Sequence, residues 1–314
     1  MIPSKSPTAN GVSTVSRRNF ITMSALSAGL ALSGGTTSRA AEAASGAKVT
    51  KKKVPLGIEL YAVRGELAKD LPGTLKAVAK IGYEVVEFYS PYFGWTFSFA
   101  KDVRTQLDDL GLKCYSTHNS IASLTPGETM GRAIELNQIL GARQIVLASA
   151  PAWAKGLDGW KKLGAQLTTV SEQLKTHGLA AGFHNHKTEW APIAEGGPRI
   201  MDVLAAETPK EFVLQFDVGT AMDAGVDGAT WIRANPGRIR SMHLKDWAPG
   251  DKAQEKGYRV LFGEGVTPWM TLFAEAESVG GVEHYLMEQE GSRYSELETA
   301  QRCFDLYRAM RARG

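Results

Sequence analysis

Four segments of the sequence carry side chains that commonly bind metal ions, each where a buried strand is predicted to give way to a loop. They are residues 183–186, 214–217, 242–246 and 286–290. Imidazole nitrogen and carboxylate oxygen together suit Mn²⁺, Zn²⁺, Fe²⁺ or Co²⁺ better than Ca²⁺. If the four strands belong to one closed barrel, their ends converge. The sequence then predicts a divalent-metal enzyme.

Polar side chains also occur at the ends of the preceding predicted strands. A strand has a side-chain period of two, so polar residues two apart share a face. Any one of them could be a solvent-facing or hydrogen-bonded structural group. Together they indicate a site, because buried charges are rarely tolerated without partners. In chain order the candidates are Glu59, Tyr61, Glu87, His118, His184, His186, Asp217, His243, Lys245, Glu288 and Glu290.

Eight strand–helix units are predicted from residue 54 to the end of the chain. Short connections that each carry a helix are typical of a parallel sheet. The Gly-rich phosphate loop of an open dinucleotide-binding sheet does not follow the first strand. The sequence therefore predicts an α/β fold, a single (β/α)8 TIM barrel over residues 46–314. Strands are predicted at 54–60, 84–89, 112–118, 143–148, 179–184, 212–217, 239–245 and 283–288, and helices at 71–81, 99–110, 127–140, 157–176, 199–206, 228–234, 268–279 and 295–311.

Several of these segments resemble the xylose isomerase-like TIM-barrel superfamily, often called sugar phosphate isomerases/epimerases. That superfamily includes inosose dehydratase-like and dehydroshikimate dehydratase-like members. The resemblance covers residue 54 to the C-terminus and rests on the order and spacing of five motifs. These motifs are residues 82–88, 183–189, 216–219, 242–246 and 286–290.

The resemblance implies one divalent metal ion held by Glu, Asp, His and Glu from the fifth to eighth strands. Asp217, His243 and Glu288 match the last three positions. The first position holds His184, which can also bind a metal, so the expected ligands are two histidines and two carboxylates. Glu189 is the alternative first ligand. Mn²⁺ is the expected ion, with Zn²⁺, Co²⁺ and Fe²⁺ as alternatives.

His184 in place of glutamate changes the expected mechanism. Family epimerases use two metal-bound glutamates as acid and base through an enediolate, and this chain lacks one of them. His186 is the predicted general base, because neutral imidazole accepts a proton near pH 7. Glu288 is the second catalytic candidate. Lys245 could stabilise the developing oxyanion, or it could form a salt bridge with Asp246 or Glu290.

The remaining candidates are predicted to bind substrate. His118 is expected to line a sugar pocket, although a structural role is equally open. An aromatic run at residues 93–99 could stack on a sugar ring, cover the barrel mouth or form a contact in a homo-oligomer. The predicted substrate-binding residues are His118, Glu59, Tyr61, Glu87, Glu189 and Trp95.

The first 45 residues are predicted to be a twin-arginine signal peptide and disordered leader. Arg17 and Arg18 precede an apolar stretch over about residues 21–32 and small residues at 38–43. This stretch is shorter than the roughly 20 residues that a permanent membrane helix needs. No cysteine follows it to carry a lipid, so no stable membrane anchor is expected. These features predict passage through the twin-arginine export machinery and a periplasmic location; a disordered basic tail is the alternative.

The composition is that of a globular protein without a nucleic-acid-binding surface. The net charge is +3, part of it in the leader and in Lys51, Lys52 and Lys53, and hydrophobic residues make up 43%. No basic stripe is present. The two cysteines are too few for a disulfide framework.

The predicted function is isomerisation or epimerisation of a sugar or oxidised sugar by proton abstraction next to a carbonyl, through a metal-stabilised enediolate. A sugar phosphate is not expected, because no phosphate cradle is found. Two alternatives remain open. One is a lyase, either a dehydratase or a β-elimination enzyme for 3-keto-glycosides, on the same metal site. The other is a non-catalytic periplasmic sugar-binding protein.

Overall fold

Eight parallel strands form a closed barrel in the computed structural model, which describes residues 53–313 apart from the side chain of Ala253. Each strand pairs with its sequence neighbours, and β1 closes the ring by pairing with β8, where Leu56 lies opposite Tyr285. The strands are β1 (Leu56–Glu59), β2 (Val85–Phe88), β3 (Lys113–Asn119), β4 (Gln144–Leu147), β5 (Ala180–His184), β6 (Val213–Asp217), β7 (Ser241–Leu244) and β8 (His284–Met287).

Helices connect the strands and cover the outside of the barrel. The α-helices are α1 (Arg64–Lys69), α2 (Leu71–Ile81), α3 (Phe97–Asp109), α4 (Glu128–Leu140), α5 (Gly156–Lys175), α6 (Ile200–Glu207), α7 (Val218–Asp223), α8 (Gly228–Ala234), α9 (Trp269–Glu275) and α10 (Glu296–Arg311). Five 3-10 turns, at Leu60–Val63, Ser90–Gly94, Ile121–Leu124, Lys187–Trp190 and Lys252–Gln254, and one π-helical turn at Ala276–Gly280 complete the described elements.

Local sequence signals define the ends of α2. The Asp70 side chain accepts a hydrogen bond from Gly73 N and so caps the first turn. Gly82 ends the helix with φ of 118°, in the left-handed region that favours glycine. A Cβ at Gly82 would also lie 2.6 Å from the Phe304 ring. The residue is therefore needed both for the turn and for packing of α10 against it.

The barrel interior contains many polar side chains. Glu87, Ser116, Gln144, Gln215 and Ser241 are all fully buried. Gln215 on β6 donates to Glu87 on β2, and Ser241 on β7 donates to Gln144 on β4. These strands are not neighbours in the barrel, so the contacts cross its interior. TIM-barrel interiors are usually filled by branched apolar residues, and this one instead carries a connected polar network beneath the strand ends.

The predicted (β/α)8 barrel is confirmed, and each predicted strand matches an observed strand to within about two residues. The sequence did not predict the short helices α1 and α7. The helix expected at 268–279 is observed as α9 followed by the π-helical turn. Both cysteines, Cys114 and Cys303, are buried and free.

The predicted leader lies outside the described residues, so the boundary at residue 45 and the export signal stay predictions. Among the described residues, no helix is long and apolar enough to cross a membrane.

Candidate functional site

A cavity of about 560 Å³ opens at the carboxyl ends of the strands. Part of its lining can exchange protons or bind metal: Glu59, His118, His184, His186, Glu288 and Glu290. Another part is aromatic and apolar, formed by Tyr61, Tyr89, Phe93 and Ile121. The volume lies in the usual range for small-molecule sites. None of the described residues that line it is lysine or arginine.

His184, Asp217 and Glu288 each direct one potential ligand atom to a common region, with these atoms within 4.8 Å of one another. His184 Nε2 lies 3.7 Å from Asp217 Oδ2. Asp217 Oδ1 caps α7 by accepting from Thr220 N at 3.0 Å, whereas the buried Oδ2 accepts no hydrogen bond of normal geometry. Burial, followed by the nearby cationic groups, holds the pKa of His184 well below its usual range, so its ring is neutral. An unsatisfied carboxylate oxygen beside a neutral imidazole fits a divalent cation.

Lys245 lies beside this group and is almost fully buried. Its Nζ is 3.0 Å from Asp217 Oδ2, 3.1 Å from Glu288 Oε1 and 2.6 Å from Glu290 Oε1. The contact with Asp217 is an ion pair without hydrogen-bond geometry. Burial opposes the charge, but the three carboxylates raise the pKa of Lys245 well above its usual value. The side chain therefore carries a positive charge next to two of the predicted metal ligands.

Asp246 does not pair with Lys245, although the sequence left that pairing open. Its carboxylate accepts hydrogen bonds from Gly263 N at 2.8 Å, Gly265 N at 3.1 Å and Trp269 Nε1 at 3.0 Å. It also accepts from Thr267 Oγ1 at 2.6 Å. Asp246 thus holds the loop between β7 and α9 in place.

His243, the fourth predicted ligand, lies between two carboxylates. Its Nδ1 is 2.7 Å from Glu288 Oε2 and its Nε2 is 2.8 Å from Glu87 Oε2. Burial opposes a charged ring, yet Glu87 and Glu288 raise the pKa of His243 to about 10. Both ring nitrogens are therefore donors in this arrangement. The ring would have to lose a proton to bind a metal, so the ligand role of His243 stays a prediction.

Glu87 lies below the cavity rather than in its lining. Burial disfavours its charge, but His118 and His243 lower the pKa of Glu87 to about 2. Gln215 Nε2 donates to its Oε1 at 2.9 Å. The sequence assigned no role to Gln215, although its position two residues before Asp217 on a buried strand places it on the same face.

Glu59 and His118 meet at another part of the cavity. Glu59 Oε1 is buried without a hydrogen-bond partner and lies 3.9 Å from His118 Nδ1. Its Oε2 accepts from the backbone N–H of Tyr61. Burial, together with the charges of Glu288 and Glu87, raises the pKa of Glu59 well above its usual value. Glu59 therefore retains its proton to a higher pH than an ordinary carboxylic acid does.

His186 lies at the rim of the cavity, with 43% of its side chain exposed. Its ring centroid is 4.9 Å from that of His184. Glu189 is buried and accepts from His186 N at 2.8 Å, which closes the 3-10 turn Lys187–Trp190. Glu189 is not among the residues that line the cavity, and its predicted metal-binding and substrate-binding roles stay predictions.

Trp95 is likewise not among the residues that line the cavity, and its predicted substrate-binding role stays a prediction. Its ring packs edge-on against Phe88, Tyr92 and Phe99, with centroid distances of 5.1, 6.1 and 5.2 Å. Thr96 caps α3 immediately after it, and the chain there turns to the outside of the barrel. Phe93, from the same aromatic run, lies in the lining instead.

Known proteins share this fold. A sugar phosphate isomerase/epimerase from Parabacteroides distasonis superposes with a TM-score of 0.69 at 22% identity, covering 83% of this chain and 96% of that one. The probable 3-DHS dehydratase AsbF from Bacillus anthracis gives 0.62 at 11% identity, with 81% and 98% covered. The IOLI protein with a bound zinc atom gives 0.59 at 13% identity, with 79% and 96% covered.

A search of the curated proteins found no match. The family model of the xylose isomerase-like TIM barrel matches residues 75–308, which make up most of the barrel. This chain belongs to the xylose isomerase-like TIM barrel family.

Proposed function

We propose that this protein is an exported, metal-dependent enzyme that isomerises or epimerises a sugar by moving a proton next to a carbonyl. One observation carries the proposal. The ligand atoms of His184, Asp217 and Glu288 converge within 4.8 Å at a cavity that is also lined by Glu59, a carboxyl group of raised pKa, and by the exposed imidazole of His186.

The proposed metal ligands are His184, Asp217 and Glu288, with His243 as the predicted fourth. A bound divalent ion would supply Lewis acidity to a substrate oxygen. The zinc-containing relative and the oxygen–nitrogen donor set support this proposal. Mn²⁺ is the expected ion, and Zn²⁺, Co²⁺ and Fe²⁺ are the alternatives.

The chain's own groups suit proton transfer in the cavity. His186 is the proposed general base because it is exposed at the rim and imidazole exchanges protons near neutral pH. Glu288 stays ionised because Lys245 and His243 lower its pKa against the effect of burial. Lys245 holds a fixed positive charge beside it. Together these charges favour a substrate that develops negative charge on oxygen during the reaction.

The proposed substrate is a free or oxidised sugar rather than a sugar phosphate. The lining contains Glu59, Glu288 and Glu290 but none of the chain's described lysine or arginine residues. Apart from the proposed metal, a phosphate dianion would meet no lysine or arginine in this lining and would lose its water beside carboxylates, which is costly. The aromatic part of the lining, formed with Tyr61 and Tyr89, offers a surface for the apolar face of a sugar ring.

A lyase is the second candidate, favoured by Glu59. Elimination needs an acid that protonates a departing oxygen. The raised pKa of Glu59 favours its acid form, and its Oε1 has no hydrogen-bond partner among the described residues. His184 in place of a metal-binding glutamate also removes the symmetric pair that epimerisation by two glutamates would use. A dehydratase or a β-elimination enzyme acting on 3-keto-glycosides would use the same cavity.

One screen tests the enzyme proposal and separates its two forms. The purified protein is incubated with Mn²⁺ and with oxidised and unoxidised mono- and disaccharides in deuterium oxide, and the products are followed by NMR. An isomerase or epimerase places deuterium on a product carbon and keeps the carbon skeleton and its substituents. A lyase instead releases water or an aglycone. The absence of any product, with loosely and substoichiometrically held metal, would support a non-catalytic sugar-binding protein.

The periplasmic location rests on the twin-arginine pattern at Arg17 and Arg18. Expression of the full chain and of an Arg17→Lys, Arg18→Lys variant, followed by fractionation of the cells, tests it. Export of the parent and retention of the variant are expected. Equal distribution of the two proteins would contradict the proposal.

A further inference from the structure

The carboxamide of Gln215 lies at the centre of the barrel and makes four side-chain hydrogen bonds. Its Nε2 is 2.9 Å from Glu87 Oε1 and 3.1 Å from Ser241 Oγ. Its Oε1 is 2.7 Å from His118 Nε2 and 3.0 Å from His184 Nδ1. An amide has two N–H donors and two acceptor lone pairs, so the hydrogen-bonding capacity of Gln215 is fully used.

Glu87 determines which end of the Gln215 amide faces which partner. The Glu87 carboxylate accepts at Oε2 from His243 and at Oε1 from Gln215. The opposite amide orientation would place two oxygen acceptors 2.9 Å apart in a buried site. The NH₂ group of Gln215 therefore faces Glu87, and its oxygen faces the two histidines.

A second chain of contacts gives the same orientation independently. Gln144 Nε2 donates to Glu283 Oε2 at 3.2 Å, so Gln144 Oε1 points away from that carboxylate. Ser241 Oγ donates its proton to Gln144 Oε1 at 3.1 Å. The Ser241 oxygen can then only accept from Gln215, which again places the NH₂ group of Gln215 on that side.

We infer that Gln215 is a positioning residue that holds His118 and His184 in opposite tautomers. The amide oxygen cannot donate, so each imidazole nitrogen that contacts it carries the proton. His118 is protonated at Nε2, and His184 is protonated at Nδ1. A neutral ring carries only that one proton, which leaves His118 Nδ1 and His184 Nε2 unprotonated.

Each unprotonated nitrogen faces a different partner. His184 Nε2 lies 3.7 Å from Asp217 Oδ2, so its lone pair points into the proposed metal site. His118 Nδ1 lies 3.9 Å from Glu59 Oε1, which has no hydrogen-bond partner among the described residues. The lone pair of His118 Nδ1 can therefore accept a proton at the cavity. One buried amide thus prepares one histidine for metal binding and another for proton transfer. These uses rest on the proposed function, whereas the tautomers do not.

Nitrogen NMR of the metal-free full chain tests the tautomers directly. Selective ¹⁵N labelling of histidine gives signals from only six residues, and the His118→Gln and His184→Gln variants assign the two that matter. Long-range nitrogen–proton correlations distinguish a protonated nitrogen from an unprotonated one. We expect His184 protonated at Nδ1 only and His118 at Nε2 only. The opposite pattern at either residue would overturn the inference.

Gln215→Met removes the amide at similar size, and Gln166→Met is the matched control. Gln166 lies on α5 and bonds Leu124 O and Thr125 Oγ1, away from the cavity. Gln215→Met is expected to abolish the single-tautomer signature of His184 and to weaken Zn²⁺ affinity, measured by isothermal titration, about 10- to 100-fold. Gln166→Met should leave the tautomer signature of His184 and the Zn²⁺ affinity unchanged. A Gln215→Met protein with the parental tautomers and affinity would contradict the assignment.

The two kinds of failure can be told apart. The expected tautomers without metal binding or turnover would remove the proposed function but keep the role of Gln215. Metal binding and turnover with a different tautomer pattern would keep the proposed function but remove the role of Gln215. Should Gln215→Met fail to fold, the spectrum of the parent chain still tests the two tautomers, and the opposite pattern at either histidine would overturn the inference.

Discussion

Lys245 Nζ lies 3.0 Å from Asp217 Oδ2, inside the group of side chains proposed to bind a divalent metal. The same ammonium group contacts Glu288 at 3.1 Å. A buried lysine and the proposed metal therefore draw on the same two carboxylates. Without metal, Lys245 is the cation that contacts both carboxylates, and His243 adds a second positive charge at Glu288. These cations are needed because isolated buried carboxylates are costly.

Replacing Lys245 with methionine should expose this dependence. In the metal-free protein, Lys245→Met removes the cation beside Asp217 and leaves Glu288 paired with His243 alone, and we expect unfolding free energy to fall by about 3–5 kcal/mol. Saturating Zn²⁺ should recover most of the loss, since the metal replaces the missing charge. Denaturant unfolding with and without metal measures both values.

Lys187→Met, which removes an exposed pair with Asp223, is the control and should change stability little. Equal losses with and without Zn²⁺ would contradict the shared-carboxylate interpretation.

Asp217→Asn tests the metal site while keeping the shape of the side chain. Asn can still cap α7 through Thr220 N, but it loses the negative charge. We expect Zn²⁺ affinity, measured by isothermal titration, to fall at least 100-fold with the barrel intact by circular dichroism. Asp227→Asn is the matched control, because Asp227 caps α8 through Thr230 N on the surface. It should leave Zn²⁺ affinity unchanged. Retained affinity in Asp217→Asn would remove Asp217 from the proposed site.

The ion pair between His243 and Glu87 should give the metal-free protein a defined pH profile. The pKa of His243 is raised from 6.5 to about 10, so its stabilising effect is complete below 6.5 and is lost as pH rises through 10. The pKa of Glu87 is lowered from 4.5 to about 2, so its effect is complete above 4.5 and is lost as pH falls through 2. The contribution of this pair to the free energy of unfolding should therefore be greatest between about pH 4.5 and 6.5.

Denaturant unfolding at a series of pH values measures that profile, and histidine ¹⁵N spectra check its cause. The His243 signals should remain those of a charged ring from pH 6 to 9. A neutral His243 at pH 7.5 in the metal-free protein would show that the pair with Glu87 and Glu288 does not hold a proton as described.

Strand order alone was sufficient to predict which parts of the chain meet at the site. Every strand of a parallel barrel ends at the same side, so Asp217 and Glu288 had to converge although 71 residues separate them. Helix and strand limits were predicted from the hydrophobic period, and the capping by Asp70 and Gly82 explains why α2 begins and ends where that period indicates. These are local signals, and they act independently of the rest of the fold.

Contacts across the barrel interior could not be read from the sequence. Gln215 has no chemistry that singles it out, and its importance comes from Glu87, His118 and His184 on three other strands. Trp95 was singled out from the sequence but lies away from the cavity. Several aromatic residues follow β2, and the start of α3 determines which of them faces the cavity. The pairing of His243 with Glu87 likewise depends on the strand positions in three dimensions.

Glu288→Gln should abolish turnover while the barrel stays folded. The substitution removes the charge that pairs with Lys245 and His243 and that would bind the metal. We expect kcat/KM for the substrate found in the screen to fall at least 1000-fold. Glu290→Gln is the control, because Glu290 also pairs with Lys245 but is half exposed. Its effect should be much smaller, and near-parental turnover in Glu288→Gln would remove the metal-site assignment.

Glu59→Gln separates a proton donor from a hydrogen-bonding group in the same position. Glutamine keeps the size of the side chain and can still accept from Tyr61 N, but it cannot transfer a proton. If Glu59 donates its proton to the substrate, kcat should fall about 100- to 10,000-fold with KM nearly unchanged. The alkaline limb of the rate profile that belongs to the raised pKa of Glu59 should also disappear.

Glu84→Gln, at an exposed pair with Lys53, is the control and should leave kcat, KM and the pH profile unchanged. A change confined to KM would instead show that Glu59 only binds substrate.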